Sequence, residues 1–151
     1  MGLDSELLRL MQRGIIEQIK TISVDLPIHA IGTDFTRPND FKYFELVNIP
    51  FDQAELWGTE ERQAGQFNII LHWPAEGIGP YGVIELLEEL ATRLPKGHQF
   101  WSQTRCVQIS QNPKIGAAVR GNYLDATGFR VADNGSETLT ALAVPYSSFK
   151  P

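Results

Sequence analysis

Three glycines in the middle of the chain have the spacing of a dinucleotide-binding turn. Gly77, Gly79 and Gly82 form the pattern G-x-G-x-x-G in the stretch "AEGIGPYGVIELLEEL", between the strand-like "QFNIILHW" and a helix-like run. In dinucleotide-binding proteins such a turn lets the backbone approach a pyrophosphate at the N-terminus of a helix. The spacing alone would therefore indicate a nicotinamide or flavin cofactor.

The sequence around these glycines argues against a nucleotide site. The acidic residue that holds the ribose should follow about 20 positions later, but no Asp or Glu occurs between Glu89 and Asp125. Pro80 lies inside the motif and removes an amide that could face a phosphate. The preceding strand alternates between apolar and polar residues, whereas a central parallel strand is apolar on both faces. We therefore interpret the glycines as a strand-to-helix connection and predict no cofactor.

The histidines and the single cysteine give a weak metal signal. His29, His72 and His98 are widely spaced, and neither H-x-x-x-H nor C-x-x-C occurs. A zinc site built from them and Cys106 would have to be assembled by the fold, so structural or surface histidines are the simpler interpretation. Cys106 lies in the strand-like "TRCVQIS" and is expected to be a buried thiol. We predict no metal site.

The chain also lacks sequence motifs of nucleophilic or phosphate chemistry. Neither a G-x-S-x-G nucleophile elbow nor the Walker pattern G-x-x-x-x-G-K-[ST] occurs. Glu85, Glu88 and Glu89 follow the polar side of a predicted helix, which is typical of a solvated face. We therefore predict that the protein is not an enzyme and has no catalytic residues.

A charged stretch with an aromatic residue indicates a contact with a partner. In "FDQAELWGTEERQAG", predicted as a long connection over Asp52–Gly65, Trp57 is followed by Glu60, Glu61 and Arg62. Aromatic residues and Arg are enriched in protein interfaces. A surface loop without a partner is the alternative interpretation. We predict Trp57, Glu60, Glu61 and Arg62 as partner-interface residues.

The overall composition limits the class of protein. The chain has 151 residues, a formal net charge of −5 and a pI of about 5.1. Because nucleic-acid and anionic-membrane binding need a basic face, we predict neither partner. The apolar runs are too short to span a bilayer, and the N-terminus lacks the pattern of a signal peptide. These features predict a soluble cytoplasmic protein.

Hydrophobic periodicity predicts two amphipathic helices. The first covers residues 4–22, and its apolar stripe consists of Leu8, Met11, Ile15, Ile19 and Ile22. The second covers about residues 81–94, and its apolar stripe consists of Val83, Leu86, Leu87, Leu90 and Leu94.

Strands are predicted at residues 28–31, 42–49, 66–73, 98–101, 105–109, 128–131 and 138–144. The strand at 66–73 is expected to be half-buried, because apolar residues alternate with Gln66, Asn68, Ile70 and His72. The last strand is apolar on both faces and should lie inside the sheet, after a turn at Asp133–Ser136. The sequence thus predicts an α+β fold, with two helices packed on a mostly antiparallel, mixed β-sheet, in a single domain over residues 1–151.

The order of these segments resembles the phage tail terminator-like family, small proteins of long-tailed bacteriophages and prophages. An amphipathic helix is followed by a short strand, the loop "IGTDFTRPND" and the strand "YFELVNIP". A linker leads to a strand of the type G-x-F/L-x-I/V-x-L/V-x-x-P, here Gly65–Pro74. A G-x-G loop at Gly77–Gly79, a leucine-rich helix over Val83–Gly97 and the closing "LTALAVPYSSF" extend the correspondence to nearly the whole chain.

The resemblance implies a tail-terminator-like fold and a structural role as a minor tail protein in virion assembly. Such proteins form rings, commonly hexamers, on the last ring of the tail tube, stop its growth and present a surface to head-completion proteins. The implied partners are further copies of the chain, assembled free or on the tube, the major tail tube protein and a head-completion protein. The implied location is the virion tail, and the host cytoplasm during assembly. In this family the glycine loop is a connector without a nucleotide.

Two alternative functions stay open at this point. One is a small α+β ligand-binding or enzymatic domain of unknown chemistry, which a co-purified cofactor or a thermal shift with nucleotides would favour. The other is a head–tail adaptor elsewhere in the virion, which the neighbouring genes would distinguish from a terminator.

Overall fold

The computed structural model describes residues 5–50, 62–74, 79–118, 124–125, 130–131 and 137–149. Within them the chain forms two helices and one sheet of nine strands, which confirms the predicted α+β class. In chain order the elements are α1 (Ser5–Ile19), β1 (Ile28–His29), β2 (Tyr43–Pro50), β3 (Arg62–Pro74), α2 (Gly79–Thr92), β4 (Gln99–Trp101), β5 (Cys106–Ile109), β6 (Lys114–Ala118), β7 (Leu124–Asp125), β8 (Arg130–Val131) and β9 (Glu137–Phe149). No helix in these ranges has the length and apolar character needed to cross a membrane.

Two long strands form the centre of the sheet. β3 and β9 have 13 residues each and pair antiparallel along their whole length. β2 pairs antiparallel with the other side of β3, and β1 adds to β2 in parallel. Along the second side of β9, the strands β5, β6 and β8 pair in succession, while β4 lies beside β5 and β7 beside β6. The sheet is therefore mixed and mostly antiparallel, as predicted.

The last strand is interior, as its apolar character predicted, but it is longer than residues 138–144. It continues to Phe149 through Pro145, a residue that cannot donate to a sheet. The carbonyl of Pro145 accepts a hydrogen bond from the Ser110 amide at 3.0 Å. Along β9, Pro145 therefore lies between the segment that pairs with β6 and the segment that pairs with β5. Its missing N–H interrupts no ladder of backbone hydrogen bonds at this position.

The first helix ends before residue 22, and its buried side is shifted relative to the apolar stripe predicted from the sequence. α1 stops at Ile19, and Ile22 is buried from the following turn, in which its amide bonds to the Ile19 carbonyl at 3.3 Å. Leu7 is buried, whereas Leu8, assigned to the stripe from the sequence, is half-buried. The buried side consists of Leu7, Leu10, Met11, Gly14, Ile15 and Ile19.

The second helix presents the face predicted for it. Val83, Leu87, Leu90 and Leu94 are buried, and Leu86 is half-buried. Glu85 and Glu88 are exposed, as expected for the polar side. Glu89 has a further contact: its two carboxylate oxygens accept hydrogen bonds from the amide and the hydroxyl of Ser23, each at 2.8 Å. This contact fastens the segment after α1 to α2.

Both helices pack on one face of the sheet and enclose the apolar core. On this face β3 contributes Phe67, Ile69 and Leu71, all fully buried. The prediction that β3 would be half-buried is wrong, because Gln66, Asn68 and His72 on its second face are also buried. The Gln66 amide donates to the Asn68 side-chain oxygen at 2.8 Å, so these polar groups enter the interior as hydrogen-bonded partners.

The predicted connection over residues 52–65 is shorter at its C-terminal end, because residues 62–65 belong to β3. Gly65 lies at a close approach of two neighbours. A Cβ at this position would lie 2.8 Å from the Ile49 carbonyl oxygen and 2.6 Å from the Tyr146 hydroxyl. That hydroxyl donates to the Asn48 side-chain oxygen at 2.5 Å, and burial raises the pKa of Tyr146 to about 12.

The shorter strands follow the sequence less closely. The predicted strands at 28–31, 42–49, 98–101 and 105–109 correspond to β1, β2, β4 and β5. β8 covers part of the strand predicted at 128–131, and the turn predicted at Asp133–Ser136 lies outside the described residues. The sequence did not predict β6 and β7. β6 contains "GAA", residues with low strand propensity, and it is ordered by pairing with β9.

Candidate functional site

The interface residues predicted from the sequence lie mainly outside the described residues. Trp57, Glu60 and Glu61 belong to residues 51–61, which the structure does not describe. Arg62 is the first residue of β3, where its backbone pairs with Phe149, and its side chain also lies outside the described part. The proposed role of these four residues therefore stays a prediction.

The described surface contains another aromatic residue that the sequence analysis did not single out. Side chains alternate along β4, so that Phe100 is buried while Trp101 is 54% exposed. Among the described residues, Trp101 is the one large hydrophobic side chain that is exposed. Its indole N–H donates to the Gln99 side-chain oxygen at 3.1 Å, which holds the ring along the strand. Exposed Trp side chains are enriched at protein contacts.

β4 is also an open edge of the sheet. The carbonyl of His98 accepts a hydrogen bond from the Ile109 amide at 2.9 Å, so this group faces β5. Because backbone groups alternate sides along an antiparallel strand, those of Gln99 and Trp101 point away from β5. No strand in the described part of the chain pairs with them. Such groups can accept a strand from another chain.

A groove lies between α1 and β4, and we call it the β4 groove. Its apolar lining consists of Leu10, Gly14, Phe100 and Trp101, and its polar lining consists of Arg13, Glu17, Gln18, His98 and Gln99. A second hollow along α1 shares Leu10, Arg13 and Glu17 with this groove and is also lined by Glu6, Arg9, Gln12, Ile16, Lys20 and Ser102. The helix and the strand approach closely because Gly14 has no side chain. A Cβ at Gly14 would lie 2.7 Å from Cγ of Phe100 and closer still to the edge of that ring.

Three cations and two carboxylates line the β4 groove and the adjoining hollow. Arg9, Arg13 and Lys20 are exposed and form no ion pair within the described part of the chain. The carboxylates beside them are Glu17, which lines both hollows, and Glu6, which lines the second.

The Glu6 carboxylate accepts hydrogen bonds from two hydroxyl groups. Glu6 Oε1 accepts hydrogen bonds from the Ser102 hydroxyl at 2.9 Å and from the Thr104 hydroxyl. These bonds join the first turn of α1 to the connection between β4 and β5. The contact therefore positions α1 and β4 relative to each other.

The second face of the sheet carries a cluster of histidine, carboxylate and aromatic side chains. His72 Nε2 lies 2.8 Å from Glu45 Oε1, and the Tyr43 ring stacks on the His72 ring with centroids 4.1 Å apart. The stack continues through Phe35, 5.0 Å from Tyr43, to His29, 4.8 Å from Phe35. The cluster thus connects β1, β2, β3 and the loop before β2. The sequence did not predict this cluster, because the strand register that brings Glu45 close to His72 is not visible in it.

Two imidazoles favour the ionised form of Glu45. The hydrogen bond from His72 lowers the pKa of the Glu45 carboxyl, and the charges of His72 and His29 act in the same direction, while partial burial opposes them. The net pKa of Glu45 lies below its ordinary value. A carboxylate that bonds an imidazole fixes the orientation of the ring. Since Tyr43 covers one face of His72, this arrangement works as a polar clamp between strands.

The histidines and the cysteine are not gathered into one site. His72 belongs to the clamp on β3, whereas His98 packs edge-on against Phe100 beside β4, with centroids 5.0 Å apart. Cys106 is fully buried in β5, as predicted, and burial raises the pKa of its thiol. Among the described residues, no group of three His, Cys, Asp or Glu side chains could hold a metal ion.

The topology around the glycine motif differs from that of a dinucleotide-binding turn. β3, the strand before the motif, runs antiparallel to both of its neighbours, β2 and β9. A dinucleotide turn requires a parallel βαβ unit. Gly79 and Gly82 lie in the first turn of α2, and Gly77 lies outside the described residues. The antiparallel pairing supports the interpretation of these glycines as a connection.

Comparisons with known proteins add a likeness of fold. No protein-family model matches this chain, and no curated protein gives a significant match. A solved structure aligns with it at a TM-score of 0.70, with 17% sequence identity, over 99% of this chain and 97% of that chain. The name of that protein states no activity, ligand or partner. At this identity, the alignment shows that the two chains share a fold.

Proposed function

We propose that this chain is a structural tail protein of a phage or prophage, and specifically its tail terminator. In this role, copies of the chain cap the last ring of the tail tube, stop its growth and join it to head-completion proteins. The observation that carries the proposal is the surface formed by the exposed Trp101, the open edge of β4 and the β4 groove. Such features are those of a surface that contacts another protein.

The resemblance in the sequence and the ends of the sheet support the same role. The segments that resemble the tail terminator-like family have counterparts in α1, β2, β3, α2 and β9. A capping ring needs a heterologous interface whose rotation closes on itself. The sheet ends in two unlike strands, β1 in parallel pairing and β4 in antiparallel pairing, so it offers two different edges for such contacts.

Tube capping is the direct test of the proposed function. Tail tubes are assembled from the major tube protein of the same genome, with and without this chain, and examined by electron microscopy. We expect a ring at one end of each tube and shorter tubes as the chain is added, whereas an unrelated acidic protein of similar mass should change neither. Tubes of unchanged length, with none of the chain sedimenting with them, would contradict the proposal.

The alternative of a ligand-binding or enzymatic domain predicts a different result. A domain of that kind should show a rise in melting temperature with a nucleotide or cofactor panel, because a ligand that binds the folded state stabilises it. A saturable shift of this kind, in a chain that leaves tubes unchanged, would replace the proposed function.

A further inference from the structure

We propose that the open edge of β4 binds an extended segment of another protein, which joins the sheet as one more strand. This segment carries an apolar residue where it lies beside Trp101 and polar residues at the neighbouring positions. The inference rests on the proposed function, because it describes how the surface named there holds a partner. Its test uses peptides and requires no tail tubes, so the inference and the proposed function can fail separately.

The backbone of β4 selects an extended peptide as its partner. The Ile109 amide donates to the His98 carbonyl at 2.9 Å, so the backbone groups of Gln99 and Trp101 point away from β5. Both residues are exposed, and no strand in the described ranges pairs with them. Their N–H and C=O groups recur two residues apart along the strand. The backbone of an extended segment has donors and acceptors with this same spacing, so it matches the edge.

The side chains of β4 do not protect its edge against pairing. Natural edge strands often carry a charged residue or Pro, which opposes the addition of a further strand. β4 consists of Gln99, Phe100 and Trp101, and none of them has either property. The Trp101 indole N–H donates to the Gln99 side-chain oxygen at 3.1 Å, which holds the ring along the strand. The edge therefore carries an oriented aromatic ring where a protected edge carries a charge.

The two faces of the sheet select different side chains of the added strand, because successive residues of a strand point to opposite faces. On the face opposite α1, a residue of the segment would lie beside Trp101, where aromatic and β-branched side chains pair well. On the helix side, its neighbours would enter the β4 groove, whose lining includes the exposed Arg13 and Glu17. Since these two residues have opposite charges, the groove favours polar side chains over a run of one charge.

A proline substitution tests the backbone contact, with an alanine substitution as its matched control. The Gln99 N–H points away from β5, so Gln99→Pro removes an outward donor and leaves the ladder with β5 intact. Gln99→Ala removes the same side chain but keeps the N–H. The probe is a displayed library of short peptides of random sequence, selected on the unmodified chain and then titrated against each variant. We expect Gln99→Pro and Trp101→Ala to weaken binding by about tenfold or more, and Gln99→Ala by about threefold or less.

Amide hydrogen exchange of the unmodified chain provides a second measurement that requires no variant. In the free chain, the amides of Gln99 and Trp101 should exchange faster than the amide of Phe100, which faces β5. Saturation with a selected peptide should slow exchange at Gln99 and Trp101 and leave the rate at Phe100 unchanged. Circular dichroism of every variant checks that the fold is retained.

Four results would overturn the inference. The first two are a library that yields no binding peptide, and selected peptides that bind the Gln99→Pro and Gln99→Ala chains equally tightly. The third is a free chain in which the Gln99 and Trp101 amides are as protected as that of Phe100, because the edge is then already covered. The fourth is protection that appears when the chain alone is concentrated, which would assign the edge to a second copy. If tubes are capped and any of these results is obtained, the inference fails and the proposed function stands. If peptides bind as expected but tubes are never capped, the proposed function fails and the strand-binding edge stands.

Discussion

The central strand β3 is buried on both faces, with Ile70 only partly covered, but the two faces differ in their chemistry. Under the helices, Phe67, Ile69 and Leu71 are removed completely from solvent by apolar neighbours. On the opposite face of the same strand, Gln66 and Asn68 are buried and hydrogen-bonded to each other. Apolar burial is non-directional and scales with area, whereas buried polar groups require defined partners. The helix-covered face therefore supplies most of the stability, while the polar face constrains how the strands align.

Truncating the apolar face should have the largest effect. Phe67→Ala removes a fully buried ring and leaves a cavity between β3 and the helices, so the free energy of unfolding should fall by about 3–5 kcal/mol. Val47→Ala on the polar face, where Val47 is half-buried, is the control and should cost clearly less. Urea denaturation of both variants measures the difference. Equal losses would show that the two faces are not distinguished as we describe.

A smaller loss of stability should follow from adding a methyl group at the contact between α1 and β4. Ala is normally favoured over Gly inside a helix, but a Cβ at Gly14 would collide with the Phe100 ring. Gly14→Ala should therefore lower the free energy of unfolding by about 1–3 kcal/mol, as expected for overpacking. Thermal and urea denaturation measure the change.

A double substitution tests the cause of that loss. In a Phe100→Ala background the ring is absent, so Gly14→Ala should be neutral or slightly stabilising. A loss of the same size in both backgrounds would show that the Phe100 ring is not responsible.

The smallest effect should come from the polar clamp, and it should depend on pH. The pKa of Glu45 is lower in the folded chain than its ordinary value, because of the hydrogen bond from His72. The stabilisation is therefore present above the ordinary pKa of a glutamate and is lost as the pH falls through the lower, folded value. Glu45→Gln should cost about 1 kcal/mol or less near neutral pH, since a third of the Glu45 side chain is exposed.

The difference between the unmodified chain and Glu45→Gln, measured by urea denaturation as the pH is lowered, isolates this contribution. It should shrink towards zero in acid. Glu88→Gln on the exposed side of α2 makes the same chemical change without the histidine partner and should show no comparable trend. A difference that stays constant, or grows, below the ordinary glutamate pKa would contradict the proposed clamp.

Much of the secondary structure could be predicted because its causes are local. The stripe of leucines in α2 and the alternation in β3 are visible in the sequence, since a helix and a strand have fixed periods. The length of β9 beyond residue 144 could not be predicted. Pro145 reads as the end of a strand, and only its position opposite a junction between two neighbouring strands makes it acceptable there.

The candidate surface was less predictable than the fold. The charged neighbours of Trp57 predict it as an interface residue, whereas Trp101 lies in a predicted strand and has no predicted role. The alternation in "QFW" was a usable signal, because Phe100 and Trp101 cannot both face the core of a single sheet. Whether the outward residue is covered depends on which strand lies at the edge, and that is not a property of the segment itself.

The sequence by itself determined the α+β class, the two amphipathic helices and the interior position of the last strand, because periodicity and composition act over a few residues. The tertiary structure decided the rest. It joined Glu45 to His72 across two strands, brought Gly14 against Phe100, and placed β4 at an open edge with Arg13 beside it. Each of these depends on strand register or strand order, which long-range pairing fixes and no local pattern specifies.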